Sequence, residues 1–382
     1  MTSLGNIPVD FQQSLVRFST SLYKGLNKTE SLCVSPYSIT AAFLMLMIGA
    51  SGRSKQQLST AIFKNSLLSD EEENLKYYKS MHTYIVERAG INVVLASANN
   101  LFVNDQFTVL QNVRENAKQY FGADISVKDF TKPKTSALEI NRWVLKKTNG
   151  KIKDLIKENW FDKNTIMFII NVIYFKATWW MPFSPSSTRK QTFYLPNNKK
   201  IEVDMMHNKK VFTLSYRGLD FSAIALPFKG GYFDMVFILP DETNGLLNIE
   251  EKITPDFLND ISKGFKNSVY NIAIPKFKLE SECDLTEELP KLGVKDIFGF
   301  KANFSDLIIE RTQGLHIKVA VHKTVFNMNE AGIEGAAVTA IRFGLRLRTI
   351  PRFTADRPFL YYVRDIKSGL ILFIGRFYPK VK

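Results

Sequence analysis

Between Ile166 and Phe175 the chain reads IMFIINVIYF, and Asn171 is the only frankly polar side chain in the run. A stretch this apolar, without alternation, is what a β-strand covered on both faces requires. It is about half the roughly 20 residues needed to span a bilayer as a helix. The chain must therefore build a sheet with protein on both sides. The composition allows it: 382 residues, 45% of them apolar and 13% aromatic, supply a large core. No Gly/Ser or Pro-rich linker, repeat or low-complexity tract divides the chain, so residues 1–382 are read as one domain.

Helical periodicity comes early. Phe11, Leu15, Phe18 and Leu22 space an amphipathic helix over residues 8–26. Pro36 opens a second apolar segment, Ile39 to Ile48, that ends at Gly49 to Gly52. Leu138 to Ile156 has helical spacing until Asn149-Gly150 breaks it. Strands dominate later. Ala223–Leu226 and Met235–Leu239 flank a hairpin signal at Lys229-Gly230-Gly231, and Ile272–Leu279, Ile317–Met328, Phe359–Val363 and Leu370–Ile374 read as further strands. Helices mostly first and strands mostly last, without strict alternation, indicate an α+β fold.

The formal net charge is +14. The basic pairs Lys146-Lys147, Lys199-Lys200 and Lys209-Lys210 are dispersed among carboxylates, as on a solvated surface, with weak attraction to polyanions such as glycosaminoglycans as the second reading. Ser69 to Lys79 is acidic and argues against a polyanion site there. Nothing points to specific nucleic-acid or membrane binding. Cys33 and Cys283 lie among apolar or amphipathic residues, and two cysteines make no disulfide framework, so both are expected to be free and buried. No basic-then-apolar leader opens the chain. An exported protein is the favoured expectation, with a cytoplasmic one open.

Enzyme signatures are missing. His82, His207, His316 and His322 sit in no HExxH motif and beside no cysteine pair, and no GxSxG elbow or phosphate-cradling glycine loop occurs. A non-enzyme without metal or cofactor is expected. The informative segment is Glu330 to Arg352 (EAGIEGAAVTAIRFGLRLRTIPR), rich in Gly and Ala and long for a linker. No proline lies between Ile333 and Ile350, so every N–H there is available to a sheet. Read as a strand, one face carries Ile333, Gly335, Ala337, Thr339, Ile341 and Phe343, all uncharged. The charges of Glu334 and Arg342 fall on the other, with Ala336, Val338 and Ala340. The segment reads either as a flexible Ala/Gly loop or as a loop able to become an interior strand.

Several motifs together resemble the serpin family from end to end. They are Ser35-Pro36-Tyr37-Ser38-Ile39, Ile140-Asn141-Arg142-Trp143-Val144 with Thr148-Asn149-Gly150, and Asn171 through Phe175-Lys176-Ala177-Thr178-Trp179. Val321-His322-Lys323, Asn329-Glu330-Ala331-Gly332, Ala355-Asp356-Arg357-Pro358-Phe359 and Leu372-Phe373-Ile374-Gly375-Arg376 complete the set. The resemblance implies three β-sheets, eight or nine helices and a reactive loop at about 330–352. It implies monomeric, suicide inhibition of serine proteases: the protease cleaves the loop, is held as an acyl-enzyme, and is distorted as the loop inserts into the main sheet.

By that resemblance Glu330, Gly332, Ile333, Gly335, Ala336, Ala337 and Val338 form the hinge. Ile333 departs from the Thr or Ser usual at the first inward position, and insertion is expected to survive more slowly. Family spacing puts the reactive bond at Arg346–Leu347, which selects trypsin-like proteases, with Arg348–Thr349 and Arg342–Phe343 kept open; slippage onto Leu345 or Leu347 would favour chymotrypsin-like enzymes. Ser38, Asn171 and His322 match the polar shutter beneath the sheet. Trp179, Lys276 and Glu330 match the breach where insertion begins. A non-inhibitory carrier or chaperone is the alternative, and inhibition of a cysteine protease a third reading.

Overall fold

The apolar run becomes the middle of a twelve-residue strand, Met167–Thr178, whose central residues are buried on both faces. On one side lies the main core; on the other a smaller cluster in which Phe168, Ile170 and Val172 pack against Ala137, Ile140 and Val144 of a helix crossing the sheet. The computed structural model describes residues 4–26, 28–63, 71–90, 92–162, 164–310, 315–333 and 349–380.

In chain order the strands are β1 (Leu32–Val34), β2 (Val93–Asn104), β3 (Asp124–Lys128), β4 (Met167–Thr178), β5 (Arg189–Tyr194), β6 (Lys200–Arg217), β7 (Phe221–Pro227), β8 (Phe233–Pro240), β9 (Lys266–Pro275), β10 (Phe277–Asp284), β11 (Ile317–Asn329), β12 (Gly332–Ile333), β13 (Arg352–Thr354), β14 (Phe359–Asp365) and β15 (Ile371–Phe377). One six-stranded sheet runs β10-β11-β12-β4-β2-β3. The other nine strands are hydrogen-bonded continuously in the order β1-β15-β14-β8-β7-β6-β9-β13, with β5 on β6. The eighteen-residue β6 pairs with β5 through its first part and with β7 through its last. Ile272–Leu279, read from sequence as one strand, is two: β9 ends at Pro275 and β10 begins at Phe277 in the other sheet. The change of sheet brings Lys276 to the junction between them.

Nine α-helices occur among the described residues. Pro36–Gly49 is apolar all round and almost wholly buried, as a helix through a core must be. Pro36 occupies its first turn, and the Ser35 side chain accepts from the Ser38 N–H at 3.2 Å. The acidic stretch after Ser69 is the start of the Glu71–Ala89 helix, and Glu71, Glu72 and Glu73 complement the positive end of its dipole. No helix among the described residues is long and apolar enough to cross a membrane. Both cysteines are free and buried, and burial raises the Cys33 thiol to about 12.

Candidate functional site

The site is the seam between β4 and β11. From Ile317↔Met167 to Val325↔Tyr174 these strands pair in parallel. Above that zone they part, and β12 enters between them. Ile333 pairs with Ala177 on one side and Met328 on the other, Gly332 with Thr178 and Asn329, antiparallel to both neighbours. Ile333 has no exposed surface and belongs to the main core. The first inward position of the loop segment thus already occupies the sheet. Gly332 makes this possible: at φ +147° it takes a conformation that other residues avoid, and a Cβ there would lie 2.0 Å from the Ala177 carbonyl oxygen.

The chain reaches that position through a set of tight contacts. Trp179 Nε1 donates to the Asn329 carbonyl at 3.1 Å and its backbone N–H to Ala331 O at 2.9 Å; the Phe183 N–H donates to Glu330 O at 2.8 Å. The indole is buried and stacked on Phe228, ring centroids 4.7 Å apart. Lys276 and Glu330 pair at 3.0 Å, and the Thr188 hydroxyl donates to the same carboxylate at 2.8 Å. Partial burial pushes the Glu330 carboxyl up, but its own N–H, Lys276 and Thr188 together hold it below the ordinary value.

Lower in the seam, Asn171 meets its need for a partner. Its amide nitrogen donates to the Ser38 hydroxyl and carbonyl, each at 2.8 Å, and to Asn99 Oδ1; its oxygen bonds His322 Nδ1. His322 Nε2 accepts from the Ser35 N–H at 3.0 Å, which places the ring proton on Nδ1, facing the Asn171 oxygen. Burial lowers the His322 pKa to about 3, so the ring is neutral. Ser38 also bonds Ser97 at 2.9 Å, and the Thr324 hydroxyl donates to Cys33 O at 2.6 Å.

Ser38, Asn171 and His322 are thus brought together, as are Trp179, Lys276 and Glu330. Ser35, Asn99 and Thr188 were missed from sequence. The buried Asn99-Asn100 pair in an otherwise apolar stretch was a readable signal, and Thr188 had none. Of the loop positions, Gly335, Ala336, Ala337, Val338, Arg342, Arg346, Leu347 and Arg348 lie outside the described residues; Thr349 is exposed.

The chain is similar to known proteins over nearly its whole length. Human leukocyte elastase inhibitor is 34% identical over 374 residues, covering 94% of this chain and 97% of that protein. Human antithrombin-III is 30% identical over 370 residues, covering 94% and 80%. The crystal structure of Serpin48, described as a highly specific serpin in the insect Tenebrio molitor, matches with a TM-score of 0.88 at 28% identity, covering 98% of each chain. The profile of the family described as serpin (serine protease inhibitor) matches residues 13–379, and with the seam, the wedge and the polar cluster in place the chain belongs to the serpin family.

Proposed function

We propose that this serpin is a single-use inhibitor of trypsin-like serine proteases, cut between Arg346 and Leu347. The protease serine oxygen attacks the Arg346 carbonyl carbon. The C–N bond to Leu347 breaks, the new amine takes the proton relayed by the protease histidine, and an ester joins protease to inhibitor. Hydrolysis of that ester would release the protease. Insertion of the freed strip must be faster.

The observation that carries this reading is the register of β12. Each further residue along the loop steps one residue back along both β4 and β11. Gly335 then falls between Phe175 and Phe326, both fully buried. Ala337 falls between Ile173 and Thr324, Thr339 between Asn171 and His322, and Ile341 between Ile169 and Ala320. Small residues oppose large walls, a larger one opposes an alanine, and the hydroxyl meets the polar cluster. Glu334, on the opposite face, would meet Lys176. A flexible Gly/Ala loop has no reason to match two walls in this way. Insertion also replaces one parallel pairing by two antiparallel ones, each added hydrogen bond netting on the order of 1 kcal/mol. Ile333, the feature that favoured a carrier, is accommodated without exposure.

The test is incubation with trypsin. A covalent adduct that survives a denaturing gel, together with a marked rise in melting temperature of the cleaved protein, is expected. Plain cleavage, with no adduct and no rise, would leave a carrier or chaperone as the better reading. Arg346→Glu should abolish the adduct; its persistence would move the reactive bond to Arg348 or Arg342.

A further inference from the structure

We infer that the outward face of the helix lying across the six-stranded sheet, formed by Lys134, Leu138, Arg142, Leu145 and Lys146, docks the protein on anionic membrane surfaces. This goes beyond the inhibitor reading and does not rest on it.

The face follows from which stripe of the helix is buried. Pro133–Lys147 buries Ser136, Ala137, Ile140 and Val144, and the last three pack in the smaller core cluster with Phe168, Ile170 and Val172 of β4. At about 100° per residue, Leu138, Arg142 and Leu145 point away from that stripe, with Lys134 and Lys146 to either side. All five are exposed, so no described element lies over them. Leu138 is 58% exposed and Leu145 36%, two turns apart with Arg142 between them. No other helix among the described residues exposes two large apolar side chains. Scattered exposed leucines need no explanation; two aligned on one outward helix face do. In the sequence both leucines merely continue a helical spacing, which is why no membrane signal was legible there.

The charges on this face are unbalanced. Glu139 is the only carboxylate of the helix, and it pairs with Lys128 behind the face. Lys147 is likewise taken up, by Asp124 at 3.4 Å. Lys134, Arg142 and Lys146 make no ion pair among the described residues. The exposed segment that follows mixes Lys151, Lys153 and Lys157 with Asp154 and Glu158, so most of the positive excess belongs to the helix.

Leucine beside free cations selects lipid over other anions. Apolar side chains that enter the headgroup layer, with neighbouring Lys and Arg meeting its phosphates and carboxylates, make a peripheral membrane anchor. A sulfated polysaccharide would use the cations and leave both leucines in water. A second copy would bring the same cations against each other. The net charge of +14 draws the whole protein towards an anionic bilayer, and within a Debye length the three cations and two leucines orient it.

The test is sedimentation with vesicles of phosphatidylcholine, alone or mixed with phosphatidylserine, from low to high NaCl. Two variants are compared with wild type: the pair Leu138→Gln, Leu145→Gln and the triple Lys134→Gln, Arg142→Gln, Lys146→Gln. Glutamine is a good helix former, so both should melt like wild type. Wild type should sediment with the mixed vesicles alone, and less as salt rises. The pair and the triple should each bind about tenfold more weakly. An environment-sensitive dye on Leu138→Cys should shift to the blue on mixed vesicles. The same dye on Leu247→Cys, 59% exposed on the Leu246–Lys252 helix, should not. Both native cysteines are buried and leave the label to the new one. Wild-type binding by the leucine pair, or equal shifts at the two dye positions, would overturn the face and leave net charge as the whole attraction. No binding to mixed vesicles, with heparin bound by wild type and lost by the triple, would reassign the cations to a polyanion. Failure to form an adduct with trypsin would remove the inhibitor reading and leave this surface standing.

Discussion

Asn171 and His322 face each other on one rung of the parallel β4–β11 seam and are joined through their side chains, the amide oxygen to Nδ1. Both are fully buried, and between them they contact Ser35, Ser38 and Asn99. The bond is a polar rivet in an apolar seam. It joins the two strands across the seam.

The neutral imidazole makes the rivet acid-sensitive. Its folded pKa, near 3, is depressed from the ordinary 6.5, so the unfolded chain binds a proton more readily. The contribution of His322 to stability is complete above pH 6.5 and is lost as pH falls from there towards 3, with a slope approaching about 1.4 kcal/mol per pH unit. Melting temperature should therefore drop between pH 7.5 and 5.0 by more in wild type than in His322→Gln. Identical pH profiles for the two proteins would show that the ring does not titrate on opening.

Thr339 is the one hydroxyl in the inward set, and under the proposed insertion an extended β12 register would deliver it to the Asn171–His322 rung. Thr339→Val keeps the shape and loses the hydrogen bond, so adduct should still form, with a smaller melting increment, by about 1 kcal/mol, on cleavage. Thr339→Arg would bury a charge against a neutral network, and trypsin should cut this variant as a plain substrate. Adduct formation by Thr339→Arg would refute the register.

Asn171 stood out as the single amide in an apolar run, and a buried amide demands partners, so the need for a polar cluster was legible. The family resemblance supplied Ser38 and His322 as partners; Ser35 and Asn99 were not legible, because they come from a helix cap and a separate strand. The Glu71–Ala89 helix was obscured by its charged first turn, although Leu75, Tyr78, Met81 and Ile85 carry helical spacing. The change of sheet at Lys276 was hidden for a different reason. Alternation continues through Pro275, and nothing local records that the strand has left one sheet for the other. Likewise, residue types alone could assign Ile333 to an inward face but could not say that it is already there.

Gly332 sets that resting position. In Gly332→Ala the methyl group cannot coexist with the Ala177 carbonyl, so β12 should leave the sheet and Ile333 lose its burial, worth about 1.5–3 kcal/mol. A lower melting temperature and a red-shifted tryptophan emission from Trp179 are expected, and trypsin should yield more cleaved product and less adduct. Unchanged emission and melting would mean that the backbone escapes the clash.

Two contacts hold the segment just before the wedge, and they differ in kind. The Lys276 side chain is 44% exposed, so solvent screens its bond to Glu330, and Lys276→Met should cost less than about 1 kcal/mol. Trp179 is buried, and its Nε1 serves the Asn329 carbonyl at the end of β11. Trp179→Phe keeps most of the stacking on Phe228 but strands that carbonyl without water to replace the indole, at about 1–3 kcal/mol. Melting curves should rank Trp179→Phe clearly below Lys276→Met. The reverse order would mean that the ion pair, despite its exposure, is what keeps the top of the seam closed.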